Sequence, residues 1–314
     1  MRRIGAILLS LLLLSGAGGC TRRLANQPAE KLPLVEMAVA VEKSLPQPVC
    51  SLLQEFCDNL YQLSGKTVLA SLQYWEDITD SKADILFMPS ERFFQIAPDM
   101  RVLQTDFIFT SYSHFTSAMN APSTKKLLSQ ELSESGYSVY LAAYGGKRSL
   151  VSGNGSFVET LRSDDSKAIQ ELIEEMEEDA SVFIGPADFS QPPGPDALYY
   201  ADTLQLSALT EEQTKDYIII NLNYRYHFHL FCLSDQLGER LNKKQLAAVY
   251  EAAAALGPAC DKAYQTMDTQ GNRRFSSVIL PSKKLQQIIF ELQSSRPLPA
   301  LRSPIYQHIQ KYST

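Results

Sequence analysis

Three arginines stand where this chain could grip an anion. Arg92 follows a predicted strand, in Pro89-Ser90-Glu91-Arg92-Phe93. Arg148 follows another, in Ala143-Tyr144-Gly145-Gly146-Lys147-Arg148, and Arg162 stands in Thr160-Leu161-Arg162-Ser163, just before an acidic helix. Strand ends of open α/β sheets are where ligands bind. A guanidinium there can hold a carboxylate through two parallel hydrogen bonds. For any one of these arginines alone, a solvated surface position is the competing reading. His227 and His229 are two residues apart on a predicted strand, so they face the same side. Two imidazoles could bind zinc, but a site needs at least a third ligand, and His114 and His308 are the other histidines. The favoured reading is two polar rings that line a cleft or are hydrogen-bonded, with no metal. Glu171, Glu174, Glu175 and Glu178 form the solvated face of their helix.

Cys50 and Cys57 are seven residues apart, about 10.5 Å of rise within one helix. A disulfide needs Cα atoms closer than about 7 Å, so these two do not pair unless Cys50 precedes the helix. Cys232 and Cys260 could pair across elements, and the plain reading is four buried free thiols. No Gly-x-Ser-x-Gly elbow, phosphate-binding Gly-rich loop or His-Glu-x-x-His motif is present. With no nucleophile beside a base, an enzyme is not expected, nor any cofactor.

The elements that must position these side chains follow from periodicity. Leu34 to Val41 reads as a buried strand. Val49, Leu52, Leu53, Phe56 and Leu60 have helical spacing, closed by Gly65. Lys66 to Tyr74 and Ala83 to Met88 are strands, Thr124 to Ser135 a helix ending at Gly136, and Tyr137 to Ala143 a strand. Ile169, Leu172, Ile173 and Met176 mark an amphipathic helix, Ser181 to Ile184 a short strand, and Ser190 to Pro195 a loop. Asp216 to Leu233 is a long strand. A helix from Asn242 to Met267 has a kink expected at Gly257–Pro258. Val278 to Leu280 is a strand and Ser282 to Leu292 a helix. The order of elements predicts an α/β sheet.

The chain has 314 residues, room for about two domains. It is 45% hydrophobic and 20% charged, which excludes disordered, collagen-like and polytopic membrane classes. A net charge of −6 gives no basic footprint for nucleic acid. At the N-terminus, Arg2 and Arg3 precede an apolar run from Ile4 to Leu14, too short to span a bilayer. This reads as a signal-peptide core. Ser15 to Gly19 are small, and Cys20 follows them, with Ala17 three residues earlier. That pattern resembles the bacterial lipobox, which implies that Cys20 is diacylated as the mature N-terminus and that acyl chains anchor the protein to a membrane. Thr21 to Pro33 reads as a tether.

The order of motifs from Leu34 to Thr314 resembles the solute-binding proteins of TRAP (tripartite ATP-independent periplasmic) transporters. The resemblance is carried by Asp84-Ile85-Leu86-Phe87-Met88-Pro89-Ser90, by Pro98, Val102-Leu103 and Asp106-Phe107-Ile108-Phe109, and by Tyr144 to Ser152 with its glycine turn and arginine. Thr160-Leu161-Arg162-Ser163 is similar to the family's Lys-Ile-Arg-Val segment. Asp216 to Leu233 looks like its hinge-crossing strand, and Ser234 to Ala255 like the start of its long helix. The stretch Tyr74 to Ala83 is too short for the family's Gly-Gly-Gln-Leu-Gly turn and helix. Ala201-Asp202-Thr203 stands where the family has Val-Asp-Gly-x-Glu-Asn, and Thr160 and Leu161 replace its lysine and isoleucine.

The resemblance implies an α/β, two-lobed fold like that of periplasmic binding proteins, with hinge-crossing strands and a long helix. It implies lobe 1 over 34–146 plus 230–268, and lobe 2 over 147–229 plus 269–314. It implies that Arg162 pairs with a substrate carboxylate, and that Arg148, Arg92, Tyr144 and Asp202 line the ligand site. The implied partners are a small organic acid and the permease subunits of a TRAP transporter. The implied setting is extracytoplasmic, lipid-anchored and monomeric. The alternative is a sensor or partner-binding lipoprotein that kept the fold without transport-type ligand binding.

Overall fold

Alternation, helical spacing and glycine punctuation translate into elements close to those expected. The structure is a computed structural model. It describes residues 33–75, 82–105, 108–153, 183–194, 198–275, 277–279 and 304–312, together with 155, 158–160, 167 and 171. Cys20, Arg162, the helix expected at 282–292 and nearly all of the acidic helix lie outside these residues. Within the acidic stretch, Lys167 and Glu171 make an exposed pair at 3.0 Å.

The first strand, β1 (Val35–Glu42), is buried along its second half, as a parallel strand covered on both faces should be. Helix α1 (Gln47–Leu63) buries Val49, Leu53, Phe56, Cys57 and Leu60 along one stripe, and Gly65 beyond its end has φ +70°. Then come β2 (Val68–Trp75), β3 (Ile85–Pro89), α2 (Ser90–Ile96) and a 3₁₀ stretch over Pro98–Gln104. Helices α3 (Tyr112–Met119) and α4 (Pro122–Leu132) lead to the long β4 (Tyr137–Ser152). Two short strands, β5 (Phe183–Pro186) and β6 (Leu198–Asp202), precede α5 (Thr203–Ala208) and α6 (Glu211–Thr214). The 17-residue β7 (Ile218–Ser234), α7 (Leu237–Arg240), the 30-residue α8 (Lys243–Asn272), β8 (Ser277–Ile279) and α9 (Pro304–Gln310) complete the described chain.

One mixed sheet runs β2-β1-β3-β7-β4-β6-β5, with β8 on β7. Strands β1, β2 and β3 are mutually parallel, whereas β7 is antiparallel to both β3 and β4. The long strands β4 and β7 pair from Tyr137↔Ser234 to Ser152↔Ile218, with register shifts on the way. The expected end of β4 at Ala143 falls short by nine residues. Gly145-Gly146 reads as a turn but is absorbed as a bulge between Tyr144 and Lys147. Gly146 has φ +95°, and a Cβ there would stand 2.7 Å from Thr203 Oγ1, so the bulge requires glycine.

Among the described residues, two separate apolar clusters clothe the sheet. The larger joins β1, β3 and α1 to Tyr137–Tyr144 of β4, Tyr226–Leu233 of β7 and the buried face of α8. The smaller gathers Val151, Ala201, Leu206, Tyr217, Ile219 and Phe275. Ile305 and Ile309 of α9 are buried in the larger cluster, where His114 donates from Nε2 to the Ile309 carbonyl at 3.0 Å and ties α9 to α3. Tyr226 and Phe228 also join the larger cluster, where their rings meet Phe115 and Phe94. Helix α8 is continuous through Pro258 and runs five residues past Met267; the side chain of Asn242 caps its start. No helix among the described residues is long and apolar enough to cross a membrane.

Candidate functional site

The carboxyl ends of strands from both clusters meet around one cavity of about 380 Å³. Strand β1 ends there with Glu42. Strand β3 ends at Pro89, and the α2 residues that follow bring Glu91 and Arg92. From the other side β6 ends at Asp202 and α5 begins at Thr203. Strand β7 passes between them with His227, Phe228 and His229, and Tyr264 of α8 completes the wall.

The rim is charged. Arg92 donates from Nε to Glu42 Oε1 at 2.6 Å, and the Ser44 hydroxyl donates to Glu42 Oε2 at 3.2 Å. Arg148 donates from Nε to Asp202 Oδ1 at 2.9 Å, and its guanidinium lies 4.1 Å from the centre of the Tyr200 ring. His227 lies between two carboxylates, with Nδ1 2.7 Å from Glu91 Oε1 and Nε2 3.2 Å from Asp202 Oδ1. Desolvation opposes its protonation, but the two hydrogen-bonded carboxylates outweigh that and raise its pKa to about 9. The cationic ring donates from both nitrogens. Burial acts to raise the Glu91 carboxyl, yet the hydrogen bond from His227 brings it down to about 2, and Asp202 is likewise lowered.

The floor is neutral. His229 stacks between Phe87 and Tyr264, with ring centroids at 4.8 and 5.5 Å. Its Nε2 is 2.7 Å from the Tyr264 hydroxyl, and complete desolvation pushes its pKa down to about 4. Behind the floor, Tyr144 is buried. It donates its hydroxyl to Asp268 Oδ2 at 2.5 Å and its backbone N–H to Asp261 Oδ1 at 2.6 Å. The Thr203 hydroxyl also donates to Asp268, and the Lys147 N–H donates to Thr203 Oγ1 at 2.8 Å. Burial raises the Asp268 carboxyl despite these donors.

Of the side chains expected at a ligand site, Arg92 and Asp202 line the cavity. Arg148 reaches it only through Asp202, and Tyr144 stands behind the floor. The residues missed are Glu42 and Glu91. Glu42 sits at the carboxyl end of a strand, and Glu91 is the immediate neighbour of Arg92, which are the signals that could have found them. Both rings on β7 are hydrogen-bonded, and among the described residues no three His, Cys, Asp or Glu side chains are placed to hold a metal ion. Cys50, Cys57, Cys232 and Cys260 are free thiols. Cys50 is half-buried rather than buried, and both Cys50 and Cys57 lie within α1.

A second cavity, about 660 Å³, opens between α3, α4, β4 and α8. Its Asn120 side chain is already paired with the backbone of Ala142, and its Asp261 with Tyr112 and Tyr144. The smaller cavity, with its convergent charges, is therefore the candidate site.

No protein-family model matches the chain, and no curated protein matches it in sequence. Solved structures do match. A TRAP periplasmic solute-binding protein from Escherichia fergusonii, in an apo open form, aligns with TM-score 0.62 and 14% identity over 88% of this chain and 99% of its own. One from Anaerococcus prevotii, with bound D-glucuronate, aligns with TM-score 0.57 and 13% identity over 88% and 98%. An extracytoplasmic solute receptor of Bordetella pertussis that binds pyroglutamic acid aligns with TM-score 0.58 and 11% identity over 89% and 99%. The chain has the two-lobed fold of the TRAP solute-binding proteins.

Proposed function

We propose that this protein is an extracytoplasmic receptor that takes a small organic acid into the cavity between its lobes. The observation that carries the reading is the cavity itself: strand ends from both lobes converge on it, with Arg92 at its rim and Arg148, within β4, just behind Asp202. Relatives in fold hold D-glucuronate and pyroglutamic acid, both carboxylates. Arg162, which lies outside the described residues, is the residue that the resemblance assigns to the ligand carboxylate. The two apolar clusters support a lobe boundary near 146/147 on β4 and near 225/226 on β7, with closure about the bulge at Gly145–Gly146. No chemistry is asked of the site, so the protein is not an enzyme and needs no cofactor. It is a monomer that hands its ligand to the membrane subunits of a TRAP-type permease. An acylated Cys20 holds it at the membrane.

A ligand screen tests this. A carboxylate at about 100 times its Kd stabilises the fold by about 2.7 kcal/mol, well within reach of thermal denaturation. That shift should vanish in Arg162→Ala and shrink in Arg148→Ala. An unshifted melting curve with every organic acid would overturn the reading. Acylation is tested separately by incorporation of labelled fatty acid, which Cys20→Ser should abolish.

A second reading has its own support. Arg92 and Arg148 already hold carboxylates of the protein, which suits a receptor that kept the fold but senses a partner rather than carrying a solute. Binding of a partner ectodomain with no organic acid bound would favour it.

A further inference from the structure

From the charge inventory of the cavity we infer that the ligand is a zwitterion, carrying an ammonium or other cationic group as well as its carboxylate; this rests on the receptor function proposed above. The carboxylates of Glu42, Glu91 and Asp202 line the cavity, against the cations Arg92 and His227, with Arg148 one layer behind. Each of these cations is hydrogen-bonded to one or more of these carboxylates. An acid that takes Arg92 from Glu42 leaves that carboxylate without its guanidinium partner in a confined space, and a stranded charge is costly. A zwitterion offsets that charge. Its carboxylate pairs with an arginine, Arg162 or Arg92, while its cation meets the open carboxylates of Glu91 and Asp202.

Exposure points the same way. The side chains of Glu91 and Asp202 are 52% and 42% exposed, whereas those of Arg148 and His227 are 19% and 16% exposed. Glu91 and Asp202 therefore offer an entering ligand acceptor oxygen, with His227 and Arg148 set behind them, whereas in the third pair Arg92 is the more exposed partner of Glu42, at 28% against 11%. Cationic His227 and Arg148 hold the two open carboxylates in place and ionised, a preorganised seat for a donor group. The rings of Phe228 and Tyr264 form an apolar part of the wall, which favours charge pairing over hydration. A cavity of about 380 Å³ is at the small end for ligand pockets, so the ligand is compact.

Pairs of acids that differ by one group test this. Isothermal calorimetry on the full chain compares leucine with 2-hydroxyisocaproate, glutamate with 2-hydroxyglutarate, and 4-aminobutyrate with 4-hydroxybutyrate. The expected result is an amino acid bound at least about tenfold tighter than its hydroxy partner, a gap of about 1.4 kcal/mol. Glu91→Gln and Asp202→Asn should each shrink that ratio. Because Asp202 also anchors Arg148, the more exposed Glu91→Gln is the variant that keeps the test valid if the other misfolds. Hydroxy acids bound as tightly as amino acids, or a preference unchanged in Glu91→Gln, would overturn the inference and leave the carboxylate receptor standing. Binding of neither series, nor of any sugar acid, would overturn both.

Discussion

His227 and His229 face the same side of one strand, yet their surroundings give them opposite charge. At the rim, His227 is wedged between Glu91 and Asp202 and held as a cation up to about pH 9. At the floor, His229 is sandwiched by Phe87 and Tyr264 and stays neutral down to about pH 4. Two residues along the chain separate a group stabilised by ion pairing from one stabilised by packing. The rim carries the charges a ligand meets. The floor is part of the core that keeps the rim in place.

The largest effect expected from breaking this contrast is at the floor. His229→Ala removes a stacked ring and leaves the Tyr264 hydroxyl without its partner, so it should cost about 3 kcal/mol in chemical denaturation. His227→Gln, at the rim, should cost about 1 kcal/mol, because two carboxylates lose their shared cation while Asp202 keeps Arg148. If the two substitutions cost the same, the rim is as much a structural element as the floor.

The pH dependence of stability sharpens the comparison. The folded-state pKa of His227 is raised, so its contribution is complete below about pH 6.5 and is lost as pH rises through about 9. That of His229 is lowered, so its contribution is complete above about pH 6.5 and is lost as pH falls through about 4. Denaturation at a series of pH values should show stability falling on both sides of pH 6.5. His227→Gln should flatten the alkaline side and, by releasing Glu91 and Asp202, the acid side within the carboxylate range, and His229→Phe the acid side above that range. The smallest effect belongs to Glu91→Gln. Its side chain is half exposed, and its loss should cost about 0.5 kcal/mol and lower the His227 pKa, read by NMR titration.

Much of the frame could be read from residue patterns. The helix carrying Val49, Leu53, Phe56 and Leu60 has a stripe that only one periodicity fits, and the apolar run of β7 marks a strand that must be buried. Strand β4 was legible only to Ala143, since Gly145-Gly146 looks like a turn until Thr203 packs against it. At the site, Arg92 was legible as following a strand, Arg148 lies within β4 rather than after it, and the carboxylate partners of both were not legible. Glu42 and Arg92 are 50 residues apart, and Arg148 and Asp202 are 54 apart. No local pattern links residues whose proximity depends on the completed sheet. Tyr144, expected to touch ligand, sits instead behind the floor, where its position beside the glycine bulge gives it to Asp268.

The central place of β7 has a consequence for how the chain is made. This strand pairs with β3, β4 and β8, and both apolar clusters draw on it. Neither core can close before the chain through residue 234 is available to the fold. Up to that point its parallel strands near the N-terminus have only each other, and an open strand edge invites pairing with other chains. Sequence-distant pairing of this kind folds late and slowly. Neither lobe is therefore complete before that shared strand is in place.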